Sequence, residues 1–442
     1  MLRRIGLRRV GITHPAVAPA SPPEFEEAAE SDEPPGVAPS RWFRRFRWKR
    51  AFLIAFCVLG ISAAGAYSQK DRIAPTVADF SRRVIGDENT ARIEGFMFNL
   101  EDKVAKAKYK LLGGEDDPFA RRELQVQFLP KKPGRELIYY AGYGGADGGE
   151  PVFQAEDLYV PSLSFPATTI LQSEALPGEG KWATAGLPRN TPGESIMAKT
   201  FIRPDKSRPY AQVGVLLVDR EQTHLSMVGG TAEPGGDRGV KGPGTIPKED
   251  YESLLVAFNG GFKGPHGGFG MVANGKTYMP MRDGLATICT SSDGTIVLGQ
   301  YGRDFGWSDD FEACRQNAVL LVDGGEVSKR TTEGNDTWGY VNVNSSEFIT
   351  WRSAVGITRD GDLLIAAGNS LSADTLAKAL WASGAYMAMQ LDINGPYICT
   401  GLFYQQPDGT LKGEKFMDGM APSASNFLGT RERDFFYITL DE

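Results

Sequence analysis

Two carboxylates suited to chemistry follow apolar stretches of the sequence that are typical of buried strands. Asp392 comes directly after residues 386–391, and Asp323 comes directly after residues 319–322. A strand end of this kind often carries a binding group, although an Asp beside Gly or Asn also forms ordinary turns. We expect Asp392 to be the essential carboxylate of a catalytic site, with Asp323 or Asp283 as a second one.

Hydrogen-bond donors that could bind a ligand occur elsewhere in the chain. Asn259 ends an apolar run and precedes Gly260 and Gly261, so this step is either a β-turn or a place where an amide and open backbone meet a ligand. Arg352 precedes another predicted strand, and its planar guanidinium could hold two phosphate oxygens or form a structural ion pair. His266 lies in a Gly-Pro-His-Gly-Gly loop, where it is either an acid–base group or simply exposed.

The elements that position these residues follow from local patterns. Residues 353–358 and 363–367 predict a hairpin, residues 372–384 a helix, and residues 386–391 a strand buried on both faces. Asn394 lies in the turn after that strand and is a further candidate for contact with a substrate.

Turn signals indicate the fold class. Residues 273–276 and 291–295 have the composition of tight hairpin turns, and the chain contains 53 glycines and 27 prolines. Its 442 residues suffice for two domains, or for one large domain with an extension. We therefore expect an α+β (mixed α/β) fold with largely antiparallel sheets and flanking helices.

Three motifs, in this order, resemble those of the phosphodiester glycosidase family. They are AFNGGF at residues 257–262, NAVLLVDGGEV at residues 317–327, and the segment from Arg352 to Asp392. The family is named for an enzyme that removes N-acetylglucosamine from a sugar-phosphate diester. The resemblance covers roughly residues 200–405, and it implies a hydrolase in which Asp392 serves the sugar, Arg352 the phosphate and Asn259 a sugar hydroxyl.

The chain departs from the family pattern after the last motif. The family typically continues from Leu-Asp into a run of glycines and a small hydroxyl residue, whereas Asp392 is followed by Ile393, Asn394, Gly395 and Pro396. The expected function is hydrolysis of a sugar-phosphate diester or a related envelope glycan linkage. One alternative is a non-catalytic protein that uses the same cleft to bind glycans or to assemble exopolysaccharide and the cell envelope. A second alternative is an envelope scaffold.

The N-terminal region predicts a membrane anchor. Residues 51–67 carry no charge, follow a basic and aromatic run at residues 41–50, and would reach about 25 Å as a helix, close to the roughly 30 Å of a hydrocarbon core. The basic run places the N-terminus in the cytoplasm. Residues 64–66 also fit a signal-peptide cleavage site. In both cases most of the chain would be periplasmic or extracellular.

The remaining boundaries follow from composition. Residues 1–50 are predicted to be a disordered cytoplasmic tail, residues 68–150 a stem and leading region, and residues 151–442 the main domain.

Net charge and cysteine content limit which kinds of binding partner and cofactor the sequence supports. The net charge of −7 argues against a nucleic-acid binder. The cysteines lack the spacing of a zinc site, and no nucleotide-binding motif is present, so the sequence names no cofactor. Outside the cytoplasm, Cys289, Cys314 and Cys399 could form one disulfide, and the sequence does not say which pair forms it.

Overall fold

The structure is a computed structural model. It describes residues 80–81, 84–113, 118–119, 163–189, 195–339 and 348–441. These residues belong to the second of two compact units, which begins at Ala66. The predicted tail and the predicted anchor at residues 51–67 lie outside the described residues. Among the helices that are described, none combines the length and the apolar character needed to cross a membrane.

The described residues form three α-helices and seventeen strands, numbered in chain order. The helices are α1 (Asp87–Leu112), α2 (Asn335–Trp338) and α3 (Ala373–Ala382). The strands are β1 (Met197–Ile202), β2 (Val213–Val218), β3 (Thr223–Val228), β4 (Leu254–Asn259), β5 (Met271–Ala273), β6 (Lys276–Met279), β7 (Ala286–Ser291), β8 (Ile296–Gln300), β9 (Phe311–Gln316), β10 (Leu320–Asp323), β11 (Glu326–Val327), β12 (Thr350–Thr358), β13 (Leu363–Leu371), β14 (Ala385–Ile393), β15 (Thr400–Gln405), β16 (Leu411–Lys415) and β17 (Phe435–Leu440).

The strands are arranged in three sheets in which neighbouring strands are antiparallel. The first sheet has the order β1-β2-β13-β12-β14-β10-β11, the second β16-β15-β4-β17-β3, and the third β6-β5-β9-β7-β8. The predicted hairpin is β12–β13, and the predicted helix is α3, which leads from β13 to β14. The expectation of largely antiparallel sheets is therefore confirmed, and the described residues contain few helices.

Small side chains let α3 pack closely on one face of the first sheet. Ser372 caps the helix by accepting a hydrogen bond from the backbone of Thr375, and Leu376 and Leu380 are fully buried. Opposite them the strands present alanines at positions 354, 366 and 388. This face of the sheet is therefore covered by the helix.

The main core lies against the other face of the first sheet. There Val355 and Met389 of the first sheet share one buried cluster with Val256 and Phe436 of the second sheet and Ile288 of the third. Strand alternation explains the division, because successive side chains of a strand point to opposite faces.

A disulfide joins two strands of the third sheet. Cys289 of β7 lies directly opposite Cys314 of β9, and the two are bonded, while Cys399 is buried and remains a thiol. The pairing that the sequence left open is therefore Cys289–Cys314.

Helix α1, from the predicted stem, contacts the main domain. Asp102 accepts a hydrogen bond from the hydroxyl of Tyr210 at 2.7 Å and forms an ion pair with Arg208 at 3.1 Å. The ring of Phe98 meets that of Phe348 edge to face, with centroids 5.8 Å apart. Two polar contacts and one aromatic contact therefore define the face of α1 that the domain covers.

A buried carboxyl group makes stability depend on pH. Asp362 lies in the turn between β12 and β13, and burial, together with the negative charge of Asp219, raises the pKa of Asp362 to about 7. An Asp in an unfolded chain titrates near about 4. The folded state therefore holds a proton that the unfolded state has lost, and its stability falls as pH rises from about 4 to about 7.

We predict that Asp362→Asn raises the free energy of unfolding at pH 8 by on the order of 1–2 kcal/mol and flattens its dependence on pH. The amide oxygen can still accept the hydrogen bond that the Arg220 backbone donates to Asp362. Urea unfolding at pH 5 and pH 8 measures the change. Asp360→Asn, an exposed neighbour in the same turn, is the comparison, and we expect a smaller effect because the charge of Asp360 only adds to the rise in the pKa of Asp362. Equal effects of the two variants at pH 8 would contradict the prediction.

Candidate active site

A β-bulge near the end of β14 positions Asp392. Leu391 and Asp392 together lie opposite a single residue of β12, Ser353, because the register shifts between the pairs on either side. A bulge of this kind changes the direction of a side chain, and such bulges are frequent beside active sites. Here both residues face away from α3, Leu391 into the main core and Asp392 toward the second sheet.

Side chains from neighbouring elements hold the bulge. The amide nitrogen of Asn317 donates to the carbonyl oxygen of Gln390 at 2.7 Å and also to that of the next residue. The hydroxyl of Ser353 accepts from the backbone N–H of Asp392 at 3.2 Å and from the side chain of Asn259 at 2.9 Å. The backbone groups released from the ladder are thereby satisfied, which is what a buried irregularity requires.

Asn259 ties the second sheet to the first beneath Asp392. Its side-chain nitrogen donates to Ser353 and to the carbonyl oxygen of Gly260, and its side-chain oxygen accepts from the backbone of Cys399 at 3.2 Å. The predicted ligand-binding amide is thus a buried connection between strands that supports the site.

The carboxylate of Asp392 is buried in a charged environment. One oxygen accepts the backbone N–H of Ile393 at 2.8 Å, and the other forms an ion pair with Arg433. Burial raises the pKa of Asp392, and the charge of Asp434 adds to this rise, while Arg433, the Ile393 N–H and Lys263 oppose it. The contact with Arg433 therefore keeps a buried carboxylate ionisable.

Tyr397 lies beside both cations. The guanidinium of Arg433 is 4.5 Å from the centre of its ring, and the ammonium of Lys263 is 5.8 Å from it. We refer to Asp392, Arg433, Lys263 and Tyr397 as the Asp392 cluster. A carboxylate next to two cations and an aromatic face can contact a sugar and an anionic group at the same time.

A second buried ion pair lies under the cluster and explains the two glycines after Asn259. Arg315 and Asp434 are paired at 2.9 Å. The carboxylate of Asp434 also accepts the backbone N–H of Gly261 at 3.2 Å, and its backbone carbonyl oxygen accepts the N–H of Gly260 at 3.0 Å. A Cβ atom on Gly260 would lie 2.0 Å from a carboxylate oxygen of Asp434. The glycines therefore accommodate this ion pair.

The structure places Arg352 away from the Asp392 cluster, and this corrects its predicted role as the phosphate-binding group. Because Ser353 faces Asp392, its neighbour Arg352 faces the side of α3. Its guanidinium donates to the carbonyl oxygens of Leu371, Trp338 and Phe348 at 2.8–3.0 Å and to the side chain of Gln390 at 2.6 Å. Burial lowers the pKa of Arg352 to about 9. Arg352 borders a separate cavity of about 720 Å³ near the start of α3.

Asp323 is also remote from Asp392, which corrects the expectation that the two line one cleft. Asp323 ends β10, which runs antiparallel to β14 and pairs with it near Ala388. Asp392 lies four residues further along β14, or about 14 Å away along the strand. The carboxylate of Asp323 instead pairs with Arg303 at 2.7 Å in an exposed position.

The other predicted site residues are divided between two places. His266 lies in the loop that carries Lys263, and its backbone N–H donates to the Lys263 carbonyl oxygen at 2.9 Å. Asn394 is buried, and its side chain bonds to Thr350 at 3.0 Å and to Glu94 of α1 at 3.5 Å. The backbone of His266 thus forms a turn with Lys263 of the cluster, whereas the side chain of Asn394 faces α1.

A family comparison identifies the segment that holds this site. Residues 252–392 match the family model described as phosphodiester glycosidase. This segment therefore resembles a phosphodiester glycosidase domain. The match begins just before β4 and ends at Asp392, so the resemblance seen in the sequence is confirmed. A phosphodiester glycosidase is a hydrolase, which agrees with the expectation of an enzyme.

Solved structures give weaker similarities. A zebrafish N-acetylglucosamine-1-phosphodiester alpha-N-acetylglucosaminidase catalytic domain, auto-inhibited by its pro-peptide, aligns at 17% identity with a TM-score of 0.35, over 58% of this chain and 87% of its own. A hypothetical protein from Synechocystis aligns at 13% identity and a TM-score of 0.31, over 55% and 62% of the two chains. A putative exported protein from Burkholderia pseudomallei aligns at 12% identity and a TM-score of 0.23, over 52% of this chain and 74% of its own. TM-scores this low support no functional argument. No curated protein sequence matches the chain.

Three members of the Asp392 cluster were missed by reasoning from the sequence. Lys263 directly follows the AFNGGF motif, Tyr397 follows the turn after β14, and Arg433 lies beyond the segment that matches the phosphodiester glycosidase model. The run Arg431-Glu432-Arg433-Asp434 before the last strand was the available signal, but its charges alone do not reveal a buried position.

We predict that Gly260→Ala destabilises the phosphodiester glycosidase domain by about 3 kcal/mol, since the new methyl group must displace Asp434 from its buried ion pair. Gly306→Ala is the matched control, because a Cβ atom there would meet nothing within 4 Å. We expect that variant to be neutral or slightly stabilised. Thermal unfolding of both variants measures the difference, and a Gly260→Ala protein as stable as the control would be inconsistent with this account of the glycines.

Proposed function

We propose that this protein is a glycosidase that hydrolyses a sugar-phosphate diester, or a related envelope glycan linkage, at the Asp392 cluster. The observation that carries the proposal is the contact of a buried carboxylate with Arg433, close to Lys263, at the end of the matched segment. A diester substrate has a sugar that reacts through a cation-like transition state and a phosphate that leaves as an anion. In the cluster, the carboxylate of Asp392 could stabilise the cation-like sugar, and the side chains of Arg433 and Lys263 could stabilise the phosphate.

The phosphate is assigned to Arg433 and Lys263. A departing phosphate monoester needs little protonation, but it is stabilised by cations placed where its charge develops. The Arg433 side chain is 18% exposed and that of Asp392 is 7% exposed, so an arriving anion meets the guanidinium first. Engagement of Arg433 by the phosphate would release the carboxylate for chemistry.

Asp392 is assigned to the sugar side of the bond. The bond between the anomeric carbon and the phosphate oxygen breaks, and its electron pair leaves with the phosphate. A water oxygen bonds to the anomeric carbon, and its proton passes to Asp392. Burial raises the pKa of Asp392, and a carboxylate with a raised pKa is a stronger base.

We predict that Asp392→Asn lowers turnover of N-acetylglucosamine 1-phosphodiesters and related glycosyl phosphodiesters by about 10²- to 10⁴-fold, the usual cost of losing an acid–base group. Asp323→Asn is the matched control, since Asp323 lies at the far end of β14 and pairs with Arg303. We expect it to keep wild-type activity within about twofold. The assay measures sugar release by the full-length protein in detergent.

Three further results test the role of the cluster and separate turnover from binding. Arg433→Gln should weaken turnover and move the acidic limb of the pH–rate profile to higher pH, because the cation that stabilises the Asp392 carboxylate is gone. If the folded wild type releases no sugar from the whole panel but binds glycosyl phosphates through Asp392, the protein is a glycan-binding or assembly protein. Equal loss of activity in the Asp392 and Asp323 variants would contradict the assignment of the site.

The proposed enzyme is anchored in the cytoplasmic membrane with most of its chain outside. Support comes from the uncharged residues 51–67 behind a basic run, and from the Cys289–Cys314 disulfide, a bond typical of oxidising compartments. An exported position also suits a substrate in the cell envelope.

We predict that protease added to spheroplasts removes an epitope tag placed after Glu442 and leaves a tag placed before Met1 intact. Retention of the N-terminal tag on the full-length band would show that the anchor is not cleaved. A C-terminal tag that is digested only after the membrane has been lysed would contradict the proposed orientation.

A further inference from the structure

Helix α1 exposes an apolar stripe. Ile93, Met97, Leu100, Val104 and Leu111 are 40–83% exposed, and the exposed Ala107 completes the series. The steps between successive members are 4, 3, 4, 3 and 4 residues. This alternation is the heptad spacing by which two helices pack along a common seam.

The stripe lies opposite the face of α1 that the domain covers. The domain contacts α1 through Phe98, Asp102 and Tyr109, whose ring is 6.1 Å from that of Tyr210. At about 100° per residue, the stripe is centred roughly 200° around the helix from these contacts. Another helix could therefore pack on the stripe without displacing the domain.

The charges of α1 change sign along the helix. Glu94 and Glu101 precede Lys103, Lys106, Lys108 and Lys110 along the helix, and Arg92 is the only basic residue of α1 before them. Two copies side by side in parallel would place like charges together. Two antiparallel copies would instead bring Glu94 of each helix to the lysine-rich C-terminal end of the other, which is favourable, while Glu101 stays near the middle of the pair.

We propose that the exposed stripe of α1 is the contact surface for a second copy of this chain, and that the two helices pair antiparallel about a twofold axis. The stripe is self-complementary in this orientation. Leu100 then meets Val104 of the second copy, Met97 meets Ala107, and Ile93 meets Leu111, with each contact repeated by the axis. Glu94 and Lys108 flank the same seam and lie opposite each other.

Cysteine cross-linking tests both the surface and the orientation. In full-length protein carrying Cys57→Ala, mild oxidation of native membranes should cross-link the double variant Ile93→Cys/Leu111→Cys into dimers. Each single variant should stay uncross-linked, because in the antiparallel pair identical positions lie about 27 Å apart along the axis. Cross-linking of either single variant would show a parallel pair and overturn the proposal.

The oligomeric state gives a second readout. Sedimentation of the full-length protein in detergent should give a protein mass of twice 48.0 kDa. Leu100→Glu should convert it to the monomer, while Leu112→Glu, an exposed apolar residue outside the stripe, should not. A monomeric wild type would mean that a membrane surface or another part of the chain covers the stripe. A dimer that survives Leu100→Glu would place the interface elsewhere, so both results overturn the proposal.

Discussion

The bulge in β14 is the constraint on which the candidate site depends. With regular alternation, Asp392 and its neighbour Leu391 would point to opposite faces of the first sheet, and the carboxylate could lie beneath α3. The extra residue opposite Ser353 turns Asp392 toward the second sheet while Leu391 still fills the core. Asn317 and Ser353, which bond to the backbone of the bulge, therefore help to fix the direction of this carboxylate.

The second constraint is the buried ion pair of Arg315 and Asp434. It lies under the cluster, and its carboxylate accepts the backbone N–H of Gly261, which fixes the chain just after β4. Removing one partner of such a pair leaves an uncompensated charge, which costs several kcal/mol. The third sheet, which supplies Arg315, and the last strand, next to Asp434, are thus both joined to the site. A family segment that ends at Asp392 does not contain the whole arrangement.

Reasoning from the sequence predicted the local elements well and the assembly of the site less well. The hairpin, α3 and the last strand of the motif follow from short-range periodicity and turn chemistry, which act within a few residues. Asp392 was found because a carboxylate that follows an apolar run can be recognised from the local sequence alone. Arg433 was missed because its partner is 41 positions away in the sequence, and only the antiparallel pairing of β17 with β4 brings it close.

The role predicted for Arg352 was wrong because the sequence does not reveal which face of the sheet a strand residue occupies. Its residue type suits a phosphate, and it lies in a family motif, but the direction of a strand side chain is decided by register. Arg352 and Ser353 are adjacent in the sequence, and a step of one residue along a strand moves a side chain to the opposite face of the sheet. On that face the guanidinium joins the ends of β13, α2 and β14 through neutral acceptors.

The departure from the family pattern after Asp392 is compatible with an intact site. Ile393 packs in the core on the α3 side, so it does not occupy the space in front of the carboxylate. Asn394 adopts a positive φ of 74°, a region that favours glycine and that Asn tolerates better than most residues. The backbone after β14 therefore still takes a glycine-like turn, and that turn brings the ring of Tyr397 against Arg433. In place of the glycines of the family pattern, this chain has the aromatic ring of Tyr397 beside the cation of Arg433. An aromatic face next to a cation is a suitable surface for a sugar attached to a phosphate.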